Sequence, residues 1–352
     1  MASSGGRQMA LIRTDWTVLF IVLVILVIGL VMVYSASYGF PLMARGDHVG
    51  KPTGFVARQG LFAIAGLAAL FALWRLDYHL YREYAVSILA LTVPILVYMV
   101  FVKNRWLFSR AGTQSVQPVE LAKYGALVYI AAWLDAKQDV LRDANLGLVP
   151  FALLLGTLAG LIMLERDLST AILFIATASA MFFVAGADLR QILVLFLFGS
   201  AAVILVVGVL DYNYDERIGP WLQQILNRDP TALNSVGLGQ PMQSARALSR
   251  GGLFGVGLGQ SGQKFVLYAP HTDCIFAIVG EELGFLGAVV LMALFGVFLW
   301  RGLRVALRAP DTFGMLLAVG IVAWVVFQAA LHIAVVTVTT PFTGTVLPFV
   351  SY

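Results

Sequence analysis

The residues best placed to do chemistry close a polar, glycine-rich stretch and open an apolar one. They are His271-Thr272-Asp273, followed by Cys274, Ile275, Phe276, Ala277, Ile278 and Val279. A carboxylate where water gives way to lipid is a candidate general base, because partial burial strengthens its hold on a proton. Glu281 and Glu282 stand eight residues further on, which on one straight helix lies roughly 12 Å deeper. Ionisable groups at that depth face a protein interior or a wet cavity. The stretch before them, QSARALSRGGLFGVGLGQSGQKF at 243–265, offers Gln260, Ser261 and Lys264 as donors. Its glycines let the backbone come close to another helix or a phosphate. Gly257-Leu258-Gly259-Gln260-Ser261-Gly262 matches a dinucleotide fingerprint in letters only, since no strand–helix–strand frame surrounds it.

These residues must be positioned by membrane helices. Over 352 residues the chain is 60% hydrophobic and 12% charged, with mean hydropathy +0.88, which excludes a soluble domain and describes an all-α polytopic membrane protein. The net charge of +4 is spread over short loops, so membrane lipid headgroups are the expected partners of the basic residues. No nucleic-acid motif accompanies them. The single cysteine, Cys274, permits no internal disulfide and is expected as a buried thiol. The first apolar run, 16–35, is too long for a cleavable leader and should stay as a span. In order, spans are expected at 15–37, 56–74, 85–102, 118–135 with a first-turn proline, 146–164, 168–187, 192–210, 273–300 and 313–337.

The long polar segment 211–272 falls between the seventh and eighth spans. In it Ile218, Trp221, Leu222, Ile225 and Leu226 have helical spacing, which predicts a short helix on the membrane surface or a lid on the bundle. With the amino terminus inside, this segment and Asp273 face outward. The inner connectors then carry Arg75, Arg82, Lys137, Arg142, Arg190, Arg301, Arg304 and Arg308, against Arg45, Lys51, Arg58, Lys103, Arg105 and Arg110 outside. That is a weak inward bias. The outer cations either snorkel to headgroups or pair with phosphates of a lipid-linked substrate.

YSAS at 34–37, RW at 105–106, QPVELAK at 117–123, ERDLSTA at 165–171, QSARAL at 243–248, GGLFGVGLGQSGQKF at 251–265, HTDCIFAIVGEELGFLG at 271–287 and TGTVLPFVSY at 343–352 occur in this order. Together they resemble the SEDS family (shape, elongation, division and sporulation) over nearly the whole chain. The resemblance implies one integral-membrane domain over 1–352, with a bundle of about ten helices and a large extracytoplasmic loop between helices 7 and 8. It implies a peptidoglycan glycosyltransferase of the bacterial inner membrane that polymerises lipid II beside a class B penicillin-binding protein. The family pattern runs on past Ser351-Tyr352 into a tenth helix, so nine spans are expected here, with the carboxyl end outside. YSASY and QSARAL lean towards the division branch, FtsW, rather than the elongation branch, RodA.

The resemblance carries the family's essential acid onto Asp273, and the chemistry agrees. A sugar 4-hydroxyl attacking an anomeric carbon needs a base, and the departing undecaprenyl-linked diphosphate needs positive charge. The bland alternative for Asp273 is an N-cap of the eighth span, which Thr272 could also supply. Arg105, Arg110, Lys123 and Lys264 are the candidate cations, with a divalent cation, Mg or Mn, as the alternative and its ligands unknown. Glu120 and Lys123 either pair with each other on one helix or line the substrate cavity. Asp167 either caps the sixth span or faces Lys123 in that cavity. His271 and Thr272 would orient Asp273 or bind substrate, His271 being a second candidate base. Glu281 and Glu282 are expected to hold the bundle together or mark the partner interface. Three positions depart from the family pattern: no acid stands two residues before His271, Val119 replaces a serine, and Cys274 replaces a phenylalanine. A lipid II transporter and a non-catalytic scaffold are the competing functions; the first predicts two-sided access and the second indifference to Asp273.

Overall fold

The computed structural model describes residues 15–38, 52–101, 118–164, 167–209, 219, 221, 239–268 and 270–352. Every regular element among them is helical. Lipid offers no hydrogen bonds, so an isolated apolar segment satisfies its backbone only as a helix. In chain order these are α1 (Trp16–Ser37), α2 (Pro52–Trp74), α3 (His79–Glu83), α4 (Ala85–Phe101), α5 (Pro118–Ala136), α6 (Val149–Leu164), α7 (Leu168–Val184), α8 (Leu189–Val209), α9 (Gly239–Gly251), α10 (Ile275–Ala306) and α11 (Thr312–Val336). Five described helices are long and apolar enough to cross a membrane: Trp16–Ser37, Thr53–Trp74, Ala144–Leu164, Ile275–Ala306 and Thr312–Val336. Each expected span falls on one of the observed helices.

Two things differ from expectation. A helix, α9, occupies the QSARAL stretch, where no helix was expected. The eighth span runs on to Ala306, so Arg301 and Arg304 lie within α10 rather than in a connector. Arg301 reaches Asp15 at 2.8 Å and the Arg304 guanidinium lies 4.0 Å from the centre of the Trp300 ring. The surface helix expected near 218–226 lies almost wholly outside the described residues. Of it, Trp221 donates its indole N–H to the Val338 carbonyl at 3.3 Å.

Short-range chemistry sets several helix ends. Asp15, Asp167 and Asp311 each accept a backbone N–H in the first turn that follows, from Thr17, Thr170 and Gly314, which satisfies donors a helix start leaves open. The buried apolar residues form two clusters. One joins α4 to α7 with the first half of α11, around Phe151, Phe174, Phe182 and Trp324. The other joins α1, α10, the second half of α11 and the carboxyl-terminal segment, around Ile25, Met32, Phe295 and Leu347. Helix α11 is the wall the two clusters share.

At the end of the bundle marked by Asp15 and Arg301, the connector after α2 is latched to the turn between α10 and α11. His79 stands between two carboxylates, Nδ1 2.6 Å from Asp77 and Nε2 3.3 Å from Asp311, and the Tyr78 hydroxyl also donates to Asp311. The bond to Asp77 raises His79 above its ordinary 6.5. The His79 amide in turn holds Asp77 below 3.8. Burial alone would raise Asp311, but the Tyr78 hydroxyl, the Gly314 amide and His79 outweigh it and leave that carboxyl lowered. The histidine's contribution to stability is complete below its ordinary value and lost as pH climbs through the raised one. The carboxylates' contribution is complete above their ordinary value and lost as pH falls through the lowered ones. The latch is therefore tightest between roughly pH 4 and 6.5. Amide exchange over residues 75–83, corrected for its intrinsic pH dependence, should accelerate between pH 6 and 9, and His79→Gln should abolish that acceleration. Equal protection of the parent across the range would refute the latch.

Candidate active site

The glycine-rich stretch folds onto α10 by breaking it. Gly284 has φ 70° and ψ −171°, outside the helical region and in a conformation open to glycine alone. In an unbroken helix the amides of Phe285 and Leu286 would reach the carbonyls of Glu281 and Glu282. Instead they donate to Gly252 and Leu253 at 2.9 and 3.2 Å, while Val256 and Gly257 donate to the freed carbonyls of Glu281 and Glu282 at 2.9 and 3.1 Å. The segment 252–257 is thus stitched into the gap. It lies so close that a Cβ on Gly255 would stand 2.2 Å from the Glu282 carbonyl oxygen.

The two glutamate side chains finish the joint. Glu281 accepts from Ser261 Oγ at 2.5 Å and from the amides of Gly262 and Gln263 at 3.2 and 3.3 Å, with Arg250 at 3.5 Å. Glu282 accepts from Ser35 Oγ at 2.6 Å and the Ser261 amide at 3.3 Å. Lys264 Nζ lies 3.6 Å from Glu282 and donates to the Gly259 carbonyl at 2.6 Å. Both carboxylates are buried, and charges are tolerated there because donors surround them. Ser35, which Glu282 meets, is in the last turn of α1. The tail that holds the His271–Asp273 turn reaches further in, to Gly29.

That turn is shaped by the carboxyl-terminal segment. Tyr352 donates its amide to the His271 carbonyl at 2.9 Å and Ser351 its hydroxyl to the Thr272 carbonyl at 2.8 Å. Phe55 and Tyr352 put their rings against the His271 imidazole. A Cβ on Gly29 would stand 2.7 Å from the Val350 Cα, so the tail is wedged directly against α1. Asp273 faces this segment: a Cβ on Gly344 would lie 3.3 Å from its Oδ2. The N-cap of α10 is Cys274, which makes no capping bond, and Asp273 is set in the preceding turn. Burial lowers His271 to about 4, so its ring is neutral at neutral pH.

A second group lies across α11. Lys123, buried on α5, donates to Thr170 Oγ1 at 3.3 Å and stands 5.6 Å from the Trp324 ring centre. Thr170 also donates its amide to Asp167 at 3.0 Å. Asp167 therefore caps α7, and one threonine links that cap to Lys123. Glu120 is on α5 with its side chain outside the described part, and Arg105 and Arg110 lie outside the described residues. Among the described residues no group of three or more His, Cys, Asp or Glu could hold a metal ion. The adjacent pair Glu281 and Glu282 does not fit one, because N–H, O–H and cationic donors occupy it.

The residues sequence reasoning missed are Ser35, Arg250, His332 and Tyr352. Ser35 and His332 carried a signal, each being polar within an apolar run; Arg250 and Tyr352 are placed by contacts distant in sequence.

The whole architecture has relatives. The family profile described as Cell cycle protein (FTSW_RODA_SPOVE) matches residues 15–352. The chain belongs to this family. Among its family relatives, stage V sporulation protein E of Bacillus subtilis is 37% identical over 352 residues, 96% of this chain and 91% of that protein. The probable peptidoglycan glycosyltransferase FtsW of Geobacter metallireducens is 37% identical over 353 residues, 97% of this chain and 90% of that protein. The crystal structure of the rod shape determining protein RodA of Thermus thermophilus superposes with TM-score 0.66 at 25% identity, covering 97% of this chain and 90% of that one. A chain from work on structural coordination of polymerization and crosslinking by a peptidoglycan synthase complex superposes with TM-score 0.75 at 25% identity, covering 97% and 92%.

The buried pair gives a direct test of the joint. Lys264→Met should destabilise the protein by about 3–5 kcal/mol, because it leaves Glu282 charged without its cation. Adding Glu282→Gln should recover most of that loss. Thermal unfolding in detergent reads both variants, and equal melting of Lys264→Met and the parent would show that the pair does not hold the loop.

Proposed function

We propose that the chain is a peptidoglycan glycosyltransferase that polymerises lipid II at the outer face of the bacterial cytoplasmic membrane, with Asp273 as general base. The amino terminus is then cytoplasmic, as is the end carrying the Asp15–Arg301 pair. The observation that carries this reading is where Asp273 stands: in a turn held by the carboxyl-terminal segment, beside Gly344, at the point where the polar loop passes into α10. Kinship over almost the full length with proteins named as probable peptidoglycan glycosyltransferases supports the same conclusion.

Asp273 accepts the proton of the acceptor sugar's 4-hydroxyl as that oxygen bonds to the anomeric carbon of the donor. The donor's bond to its lipid diphosphate breaks at the same centre, so an α-linked donor gives an inverted product. Negative charge gathers on the diphosphate and calls for a fixed cation. Lys264 lies against Glu282 inside the fold, and the task is assigned to Lys123, with Arg105 and Arg110. His271, held neutral, orients the turn, and Thr272 is fixed through its carbonyl. The partner is a class B penicillin-binding protein, in keeping with the structural kinship to a chain of a peptidoglycan synthase complex.

The test is polymerisation of lipid II by the purified protein with that partner, the partner's transpeptidase blocked and products resolved by length. Asp273→Asn should lower the rate at least about 100-fold with the fold and partner binding intact. Lys123→Gln should slow it about tenfold or more. Glycan formed by Asp273→Asn at the parent rate would remove the general base from the scheme.

A further inference from the structure

His332 lies in the apolar run of α11, wholly buried, and its position is explained neither by packing nor by the chemistry above. Its Nδ1 is 2.7 Å from the Thr345 carbonyl oxygen. A carbonyl only accepts, so Nδ1 carries the proton. Nε2 is left bare, buried and without a hydrogen-bond partner among the described residues. That is a cost to an apolar core which leucine would not incur. What the ring does in return is grip the tail. One turn earlier on the same face of α11, Gln328 donates to the next carbonyl, that of Val346, at 3.1 Å.

The gripped stretch is the wall of the Asp273 turn. Thr345 donates its amide to the Thr343 carbonyl at 2.8 Å, closing a tight turn centred on Gly344, the residue that faces Asp273 Oδ2. No helix or strand supports 343–347. Its corners are Val338 and Phe349, the two non-glycine residues of positive φ among those described, at 60° and 64°. With both corners strained and no ladder between them, side chains of α11 fix the height of the wall.

We infer that His332 is a positioning residue for Asp273, acting through Thr345 and Gly344. The inference rests on the proposed role of Asp273 and adds a claim of its own: the Nδ1–H bond keeps the carboxylate aligned for proton transfer. Loss of that bond changes the chemical step and leaves substrate binding alone.

Asparagine and glutamine separate this role from packing. The amide nitrogen of asparagine can overlay Nδ1, whereas that of glutamine overlays Nε2, and the two are equally polar. In the lipid II assay with the partner present, His332→Gln should lower kcat about tenfold or more with KM within threefold of the parent. His332→Asn should stay within threefold in both. Amide exchange of 343–347 should rise about tenfold in His332→Gln and remain near parental in His332→Asn. Equal kcat for the two variants, fast or slow, would overturn the inference, as would a defect confined to KM. Loss of the thermal transition in both would make His332 a core residue and overturn it too. Asp273→Asn run beside them separates the two ideas. If it is inactive while His332→Gln works at the parent rate, only the positioning role falls; if it polymerises normally, both fall.

Discussion

The rest of the molecule depends on the break in α10. A helix deep in a membrane cannot lose two backbone hydrogen bonds unless something replaces them, since an unpaired group in lipid costs several kcal/mol. Here the replacement comes from 252–257, which returns every bond that Gly284 removes. The carboxylates of Glu281 and Glu282 then anchor the following turn, through Ser261, Gly262, Gln263 and Lys264, and tie it to α1 through Ser35. Loop, broken helix and first helix become one unit. The HTD turn inherits its place from that unit.

The other side of the turn is set by a segment with no regular structure. Residues 343–352 hold no helix or strand, yet Leu347 and Val350 are fully buried. Irregular backbone is tolerated at this depth only when protein surrounds it, and here α1, α2, α10 and α11 do so. Asp273 thus sits between a part fixed by backbone exchange and a part fixed by side chains reaching out from helices. Lys123 and Trp324 occupy the adjoining cluster, and α11 is the wall between the two groups.

Helices were the legible part of the sequence, because hydrophobic runs bounded by Asp, Pro and polar loops report local chemistry. Asp15 and Asp311 cap as their types suggest, and Asp167, for which a cap or a cavity role stood open, is a cap. The HTD turn was legible as the point where polar chain becomes apolar. What escaped depends on partners distant in sequence. Nothing near Lys264 announces that its cation meets Glu282, and the glycines of 251–262 suited a phosphate as well as a helix. The break in α10, one φ of 70° at Gly284, is likewise invisible in a hydropathy pattern. His332 was visible as a lone ionisable residue in an apolar run, but its meaning came only with the carbonyl it holds.

The exchange at Gly284 also bears on how the protein is built. As the chain enters the membrane, 275–306 can do so as one unbroken helix, with Phe285 and Leu286 bonded to Glu281 and Glu282 and the loop still in water. Docking the loop then swaps these internal bonds for bonds between segments, leaving no backbone group bare in lipid. Insertion and assembly can therefore be separate in time: 275–306 can enter as one continuous helix, and the bend that frames the HTD turn can form when the loop docks.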